Sequence, residues 1–531
     1  MQPECLASFP DSAKTSQSRL ASLNPASRLS LERSLAIGVV LTILASSGCW
    51  KAPSFTDPQP ELRHKGITLT VACSEDVRQR GLLEQLARDW SARTGAHVEI
   101  RSEPLRDDTK VDVGVIAPRE LPHWAAKGAL QELPGAYRSS QNKFLWSELP
   151  LLLAEKLLRW DGKAYALPLL GEGHVLVYRT DLFAEKQAEF ERESKRQLAP
   201  PETWEELVQI ARFFHDNTGK PSLPPLPERA DDLDRLFYTI AVVYDRLAVL
   251  EAGRAGARTL SPVQEDELFS LHFSLASGEP RVNRPAFIYA LELLQQMQPC
   301  RPAGTAADPS AEFRKGAAVF CLARLDALAQ FQGADSPVRD RFAIAPIPGS
   351  RFTFAYHPGE RGEAERKETV AGQVNRVPYF GWGGCFGVVT NACSHPEVAW
   401  EFLAALGDPA ATSLEVLGAA KWGAGPYRGS HLEARNRNYW YGYGLSNEQT
   451  DKLVDQLRHH LVSSIVNYGV RLRVPDEKAY SKVMDEELRK ALLQSASAKT
   501  VLDEAAKRWK ALGAKEPGGG PRETYLKSLG L

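Results

Sequence analysis

Basic runs, metal cages and long apolar spans are all missing from this chain of 531 residues. Its formal net charge of −1 removes nucleic acid as the main partner, because duplex binding leaves a basic footprint. The uncharged apolar stretch Leu35 to Ser47 falls short of the roughly 20 residues that a bilayer-spanning helix needs. The 7 cysteines form no CxxC pair and no zinc-type grouping with histidine. Also absent are the phosphate loop GxxxxGK[ST], HExxH, GxSxG and GxGxxG. Gly381, Gly383, Gly384 and Gly387 have the wrong spacing for a dinucleotide turn. No cofactor and no metal is expected. What remains is an ordinary globular composition, 43% hydrophobic and 25% charged, in a chain long enough for two or more domains.

The N-terminus carries a targeting signal. Arg28 and Arg33 precede the apolar run, and Ser46, Ser47 and Gly48 close it, which together describe an export signal over residues 1–48. The Ser- and Ala-rich residues ahead of Arg28 make its basic end unusually long. Translation is therefore expected to start near Leu29 or Leu31, at a codon other than methionine. The cysteine that follows at once, Cys49, resembles the lipobox of bacterial lipoproteins, although Ser46 stands where that pattern prefers leucine. The resemblance implies lipidation of Cys49 and attachment to a membrane. The alternative is a signal cleaved elsewhere, with Cys49 incidental. Residues 49–65, rich in proline and without periodicity, read as a tether. Beyond it lie Cys73, Cys300, Cys321, Cys385 and Cys393, an odd set that leaves at least one free thiol. Cys300–Cys321 is the first pairing to test, with buried free thiols the favoured reading.

From Gly66 the pattern alternates. Strand candidates are Gly66 to Cys73, His97 to Ile100 and Val111 to Ile116, with a helix between the first two marked by Leu82, Leu83, Leu86, Ala87 and Trp90. This predicts α/β architecture with partly parallel sheets. Thr203 to Glu206 reads as a capping box for a helix through Phe214, and Ser394 to Glu397 as a second box. Residues 231 to about 298 are expected to be mostly helical, Gly359 to Lys367 an exposed loop, and the chain from Glu448 strongly helical. His459 and His460 read as solvated helix surface rather than a metal site.

The segment WDGKAYALPLLGEGHVLVYRTDLF, Trp160 to Phe183, stands apart. Two strand-like runs are broken by Gly171-Glu172-Gly173, which predicts a chain that changes direction or domain in mid-sheet. Clefts collect at such crossings. Aromatics beside glycines supply the other signal: Trp382, Trp422, and Tyr439, Trp440, Tyr441 and Tyr443. Flat aromatic faces suit sugar rings, and planar polar side chains fork hydrogen bonds to paired hydroxyls. For any one of these residues, core packing is an equally good reading.

These stretches together resemble the bacterial extracellular solute-binding proteins, family 1. ITLTVACSEDVRQRGLLEQLARDWSARTGAHVEI is similar to that family's opening strand–helix–strand. The Trp160 segment is similar to its first crossing between lobes, TWEELVQIARFF to the helix after it, and GWGGCFGVVTNACSHPEVAWEFLAAL to the return crossing. The likeness covers most of residues 66–510. It implies a type II periplasmic-binding-protein-like α/β fold of two lobes, joined by crossing strands around a ligand cleft. Residues 66–171 plus about 379–435 would form lobe 1. Residues 172–378 plus about 436–512 would form lobe 2, and 513–531 a tail. By the same resemblance Ser74, Glu75, Glu172 and Trp382 would face the cleft, with Arg428 and Trp440 as further candidates. Trp382 would stack on the solute, Glu75 and Glu172 would accept from hydroxyls, and Arg428 would donate. Glu172 could equally brace the hinge, and Glu75 a helix N-terminus. The implied function is capture of a small solute, with carbohydrate favoured, by a monomeric extracytoplasmic lipoprotein that delivers it to ABC permease subunits. A glycan-active enzyme pairing Glu75 with Glu172, and a ligand-sensing subunit of a membrane receptor, are the alternatives. Replacing Gly171 or Gly173 is expected to impair closure more than folding.

Overall fold

Ten strands carry the frame of the computed structural model, which describes residues 62–74, 80–247, 270–355, 365–369, 372–381, 383–418, 425–462, 469–515 and 520–530. In chain order they are β1 (Thr68–Cys73), β2 (His97–Arg101), β3 (Val113–Ile116), β4 (Ala166–Leu170), β5 (His174–Arg179), β6 (Phe320–Arg324), β7 (Phe342–Ala345), β8 (Tyr379–Phe380), β9 (Cys385–Val389) and β10 (Gly469–Val470). The export signal, Cys49 and most of the tether lie outside the described residues. Residues 62–531 form one compact unit.

The first sheet has the order β2-β1-β3-β9-β4. β1 pairs parallel with β2 and β3, and β9 runs antiparallel to both β3 and β4. Two sequence features explain the edges. The helix Arg80–Thr94 buries the expected stripe of Leu82, Leu83, Ala87 and Trp90, which fits the parallel β1–β2 connection. Pro168 interrupts β4 without harm because β4 is an edge strand whose other side needs no ladder donor.

The second sheet has the order β6-β5-β7, antiparallel throughout. Side chains alternate across it. Leu176, Phe320 and Ala345 face a core built with the helices Trp204–Thr218, Ala230–Asp245 and Pro285–Met297, and with the C-terminal helices Glu477–Leu493 and Ala498–Gly513. Val175, Val177, Cys321, Ala323 and Ile344 face the other way and join the core of the first sheet. Each fully buried aliphatic side chain in these cores contributes about 1.5–3 kcal/mol.

The chain passes from the first sheet to the second at Gly171-Glu172-Gly173, between β4 and β5, and returns at Gly381–Gly384, between β8 and β9. β8 pairs parallel with β10, so a third passage runs beside the second. A bulge falls at Cys385/Phe386, where β9 leaves the return crossing and meets β4. The elbow is thus a change of sheet, as its glycines predict.

Several local expectations are corrected. Thr203 Oγ1 accepts from the Glu206 amide (3.3 Å), but Glu206 reaches back to the Glu202 amide, so the box closes one residue early. Ser394 is not a cap: its amide donates to Asp112, and the helix Pro396–Leu406 starts with proline at its first turn. Between the helices Ala230–Asp245 and Pro285–Met297, the described residues 270–284 are irregular. Residues Glu365–Glu368, expected in a loop, pair as a strand with Phe352–Ala355. The five cysteines among the described residues are all free, Cys300 and Cys321 included.

Candidate functional site

The two crossings are bound to each other by one carboxylate. Glu172 Oε1 accepts from the Gly381 amide and Oε2 from the Gly383 amide, both at 2.8 Å. A charged acceptor shared by two backbone donors is a strong pairing. Slim backbone makes it possible. A β-carbon on Gly383 would sit 2.6 Å from Glu172 Cβ, and one on Gly384 (φ +76) would sit 2.2 Å from the Leu170 carbonyl oxygen. One on Gly171 would lie 2.3 Å from the carbonyl oxygen of Pro426. Gly171 and Gly384 therefore serve close approach of backbone to backbone, and Gly383 close approach of backbone to the Glu172 side chain.

Two cavities adjoin this junction and share Glu172, Phe380, His460 and Leu461 as walls. The smaller, about 460 Å³ including space open to solvent, is apolar, with Leu153, Leu170, Phe386 and Tyr427. The larger, about 700 Å³ on the same measure, is polar, with His174, Arg235, Thr239, Arg376 and Tyr379. Arg235 and Leu322 are also walls of a third cavity of about 1020 Å³ in the second lobe. That cavity mixes apolar surface from Trp204, Leu176, Met297 and Phe320 with two charged pairs. Asp232 and Arg235 lie 3.0 Å apart, and Arg324 pairs with Asp326 at the end of β6. Among the described residues Trp204 Nε1 is buried without a hydrogen-bond partner.

Local chemistry fixes several protonation states. Arg235 Nη1 donates to His174 Nε2 at 2.8 Å, which makes that nitrogen an acceptor and the ring neutral. Burial, and then the neighbouring His459 and Arg376, pull His460 down to about 4. His460 is thus a neutral cavity wall, not the solvated helix surface expected of it. Burial also raises the Tyr379 hydroxyl well above its ordinary range.

A second linkage crosses between the lobes. Arg119, after β3 in the first lobe, pairs with Asp231 at the start of the helix Ala230–Asp245 in the second. Asp231 Oδ1 also accepts from Arg471 Nη2 (2.8 Å), and Arg471 in turn pairs with Glu477 at 2.6 Å. Burial works to raise the Asp231 carboxyl, but Arg471 and Arg119 outweigh it and hold it below the usual range. Beside this network the His123 ring bonds the Pro475 carbonyl at 3.1 Å.

The residues singled out from sequence fall into three groups. Glu172 is at the junction, and Ser74 ends the segment that β1 opens. Glu75, Trp382 and Trp422 lie outside the described residues. Arg428 and Trp440 are in the interior with no exposed surface. Arg428 donates to the carbonyls of Phe144 (2.8 Å) and Gly407 (2.7 Å) and lies against the Phe144 and Tyr427 rings. Trp440 donates to the His431 carbonyl and stacks on Tyr443. In this conformation neither has a face to offer a solute. Pro426 and Tyr427, just before Arg428, line the apolar cavity instead.

Sequence reasoning missed His174, Arg235, Arg324, Asp326, Arg376 and Trp204 as cavity walls. Signals existed for some. Asp232 and Arg235 are spaced i,i+3 directly after the proline-rich loop, and Arg324-Leu325-Asp326 ends a strand-like run. Among the described residues, no helix is long and apolar enough to cross a membrane, and no cluster of three acidic, histidine or cysteine side chains could hold a metal.

The sequence model of the family described as bacterial extracellular solute-binding protein matches residues 99–420. No curated protein matches in sequence. Solved structures match in fold. A maltose-bound MalE3 of T. maritima superposes with a TM-score of 0.57 at 17% identity, covering 84% of this chain and 100% of that one. The substrate-binding protein Lmo0181 of Listeria monocytogenes, in complex with cycloalternan, gives 0.58 at 14%, covering 85% and 100%. An ABC transporter solute-binding protein from Agrobacterium radiobacter K84, in complex with ribitol, gives 0.55 at 17%, covering 84% and 99%. Two lobes about a cleft are the shared architecture.

Proposed function

The chain belongs to the bacterial extracellular solute-binding proteins, and from that membership we propose that it captures a carbohydrate between its two lobes and hands it to an ABC importer. The observation that carries this reading is a run of cavities: the polar one at the Glu172 junction shares the walls Arg235 and Leu322 with the large one in the second lobe. Charged pairs such as Asp232–Arg235 and Arg324–Asp326 share cavity walls with flat apolar surface. Such pairs present planar, pre-oriented donors and acceptors to vicinal hydroxyls. That the T. maritima, Listeria and Agrobacterium proteins hold maltose, cycloalternan and ribitol adds support from fold relatives.

The ligand set we propose combines Ser74, Glu75 and Trp382 with His174, Arg235, Arg324 and Asp326. Glu172 orients the crossings rather than the solute, because both its carboxylate oxygens accept backbone amides. For the same reason the protein is a binder without turnover: a carboxylate held by two amides is poorly placed as a proton donor. Cys49 carries the lipid, residues 50–61 form the tether, since Arg63 and His64 already pair with Glu401 of the folded unit, and the folded part works as a monomer at the outer face of the membrane. Lipid attachment is tested by labelling with a radioactive fatty acid, which Cys49→Ser should abolish.

Carbohydrate binding is tested by thermal shift against sugars, polyols, amino acids and metal ions. A saturating sugar or polyol should raise the melting temperature in proportion to the logarithm of its concentration above Kd, with no new product by chromatography. Stabilisation confined to amino acids or metal ions would refute the carbohydrate reading, and a new glycan product would refute the binder reading.

A further inference from the structure

Among the described residues, one cationic side chain in the polar cavity makes no direct contact with a carboxylate. Glu172 holds Gly381 and Gly383. Arg235 is engaged by Asp232 at 3.0 Å and by His174 at 2.8 Å. Arg376 shares this cavity, yet among the described residues it has no carboxylate at ion-pairing distance, and its Nε is buried with no hydrogen-bond partner. The carboxylates whose field reaches it, Glu202 and Glu206, both pair with Arg351, at 2.7 and 3.2 Å. His459 and His460 are its other titratable neighbours, and both are pushed toward the neutral form, by burial first and then, for His459, by the Arg376 charge and, for His460, by His459 and Arg376. Among the described residues no carboxylate touches the guanidinium: Glu202 and Glu206 act on it only at a distance, across their contact with Arg351.

A half-buried guanidinium without a counter-charge in contact is costly, and the cost falls away when an anion with two acceptor oxygens docks on it. The fork of N–H donors fits a carboxylate or a phosphate bidentately, whereas a neutral hydroxyl satisfies one donor and leaves the charge. We infer that the captured solute carries an anionic group, a carboxylate or a phosphate, that docks on Arg376 beside His460. This rests on the solute-binding reading above and narrows its substrate class from neutral to acidic sugars.

Titration calorimetry on the mature protein separates the possibilities, with galacturonate and glucose 6-phosphate set against galactose and glucose, and with citrate and inorganic phosphate as anions without a sugar ring. At least one acidic sugar is expected to bind tenfold or more tightly than its neutral counterpart. Arg376→Gln should remove that advantage, and Arg376→Lys should keep part of it. The unliganded melting temperature of Arg376→Gln should change little, because the guanidinium has no direct carboxylate contact among the described residues and only the distant field of Glu202 and Glu206 is lost. If the neutral sugars bind as tightly as the acidic ones and Arg376→Gln changes neither, the inference is overturned while the carbohydrate reading stands. If citrate or phosphate binds instead of any sugar, and Arg376→Gln abolishes it, the anion site stands and the carbohydrate reading falls. If no anion binds the wild-type protein, the inference is wrong. The uronate and phosphate arms tell which anionic group is recognised.

Discussion

Glu172 and Gly383 stand on different passages between the lobes, and a hydrogen bond of 2.8 Å from the Gly383 amide to Glu172 Oε2 joins them. With the matching bond from Gly381, it ties the two crossings to each other. The residue between the two donors is Trp382, so the carboxylate fixes the backbone on both sides of an indole proposed to meet the solute.

Removing that acceptor should be felt in the fold. Glu172→Ala is expected to lower stability by about 2–4 kcal/mol, from two charge-assisted bonds to amides that are left unpaired. Glu172→Gln retains one acceptor oxygen and should lose roughly half as much. Urea unfolding monitored by circular dichroism checks both, with a lower midpoint and an unchanged slope.

Gly171 is crowded by the Pro426 backbone and Gly173 by the Leu325 side chain, so their replacement is expected to cost folding as well as closure. Gly128 (φ +65) has open space around its β position, so Gly128→Ala should cost only the strain of a left-handed residue, about 1 kcal/mol. Gly384→Ala adds to that strain a clash at 2.2 Å with the Leu170 carbonyl, while Gly171→Ala, without left-handed strain, meets the Pro426 carbonyl oxygen at 2.3 Å. Both should cost at least twice as much as Gly128→Ala, read as a larger drop in melting temperature.

The Arg119–Asp231–Arg471 linkage makes stability depend on acid. The Asp231 carboxyl is held below its unfolded value, so its contribution is present above about pH 4 and is lost as pH falls through the lower folded value. Asp231→Asn should therefore destabilise by about 2 kcal/mol at neutral pH, less than a fully buried pair because 26% of the side chain is exposed, and by progressively less in acid. Asp234, Glu477, Arg119 and Arg471 surround the group. Burial raises the Asp234 carboxyl, so it titrates in the opposite sense. The difference between wild type and Asp231→Asn, measured by urea unfolding from pH 7 to pH 3, isolates the Asp231 part.

The charged pairs of the large cavity should matter for binding more than for folding. Arg324→Ala and Asp232→Asn are expected to weaken the best sugar by about tenfold or more, the cost of one lost directional pair to a hydroxyl. Their unliganded melting temperatures should shift by only a few degrees. Calorimetry and thermal melts on the same samples check this.

Much of the frame was legible in the sequence, for a physical reason. The elbow Gly171-Glu172-Gly173 is a local signal, since two apolar runs cannot continue as one strand through it, and the structure changes sheet there. The stripe on Arg80–Thr94 is likewise local. Long-range placement was harder to read. Arg428 looks like a solute donor beside its glycines, yet its partners are carbonyls of Phe144 and Gly407, far off in the chain. His460 looks like helix surface until the crossing strands are packed over it. Arg376 sits in an unremarkable stretch, and its lack of a carboxylate contact among the described residues emerges only when Glu202 and Glu206 turn to Arg351.

Capture between two lobes that close on a solute is tested most directly by small-angle X-ray scattering of the purified protein with and without its best carbohydrate. At a concentration shown by calorimetry to occupy one site per chain, the radius of gyration should fall. Glu172→Ala, with its crossings unlinked, should contract less. Full occupancy with an unchanged radius of gyration in the wild-type protein would contradict capture by closure about the Glu172 hinge.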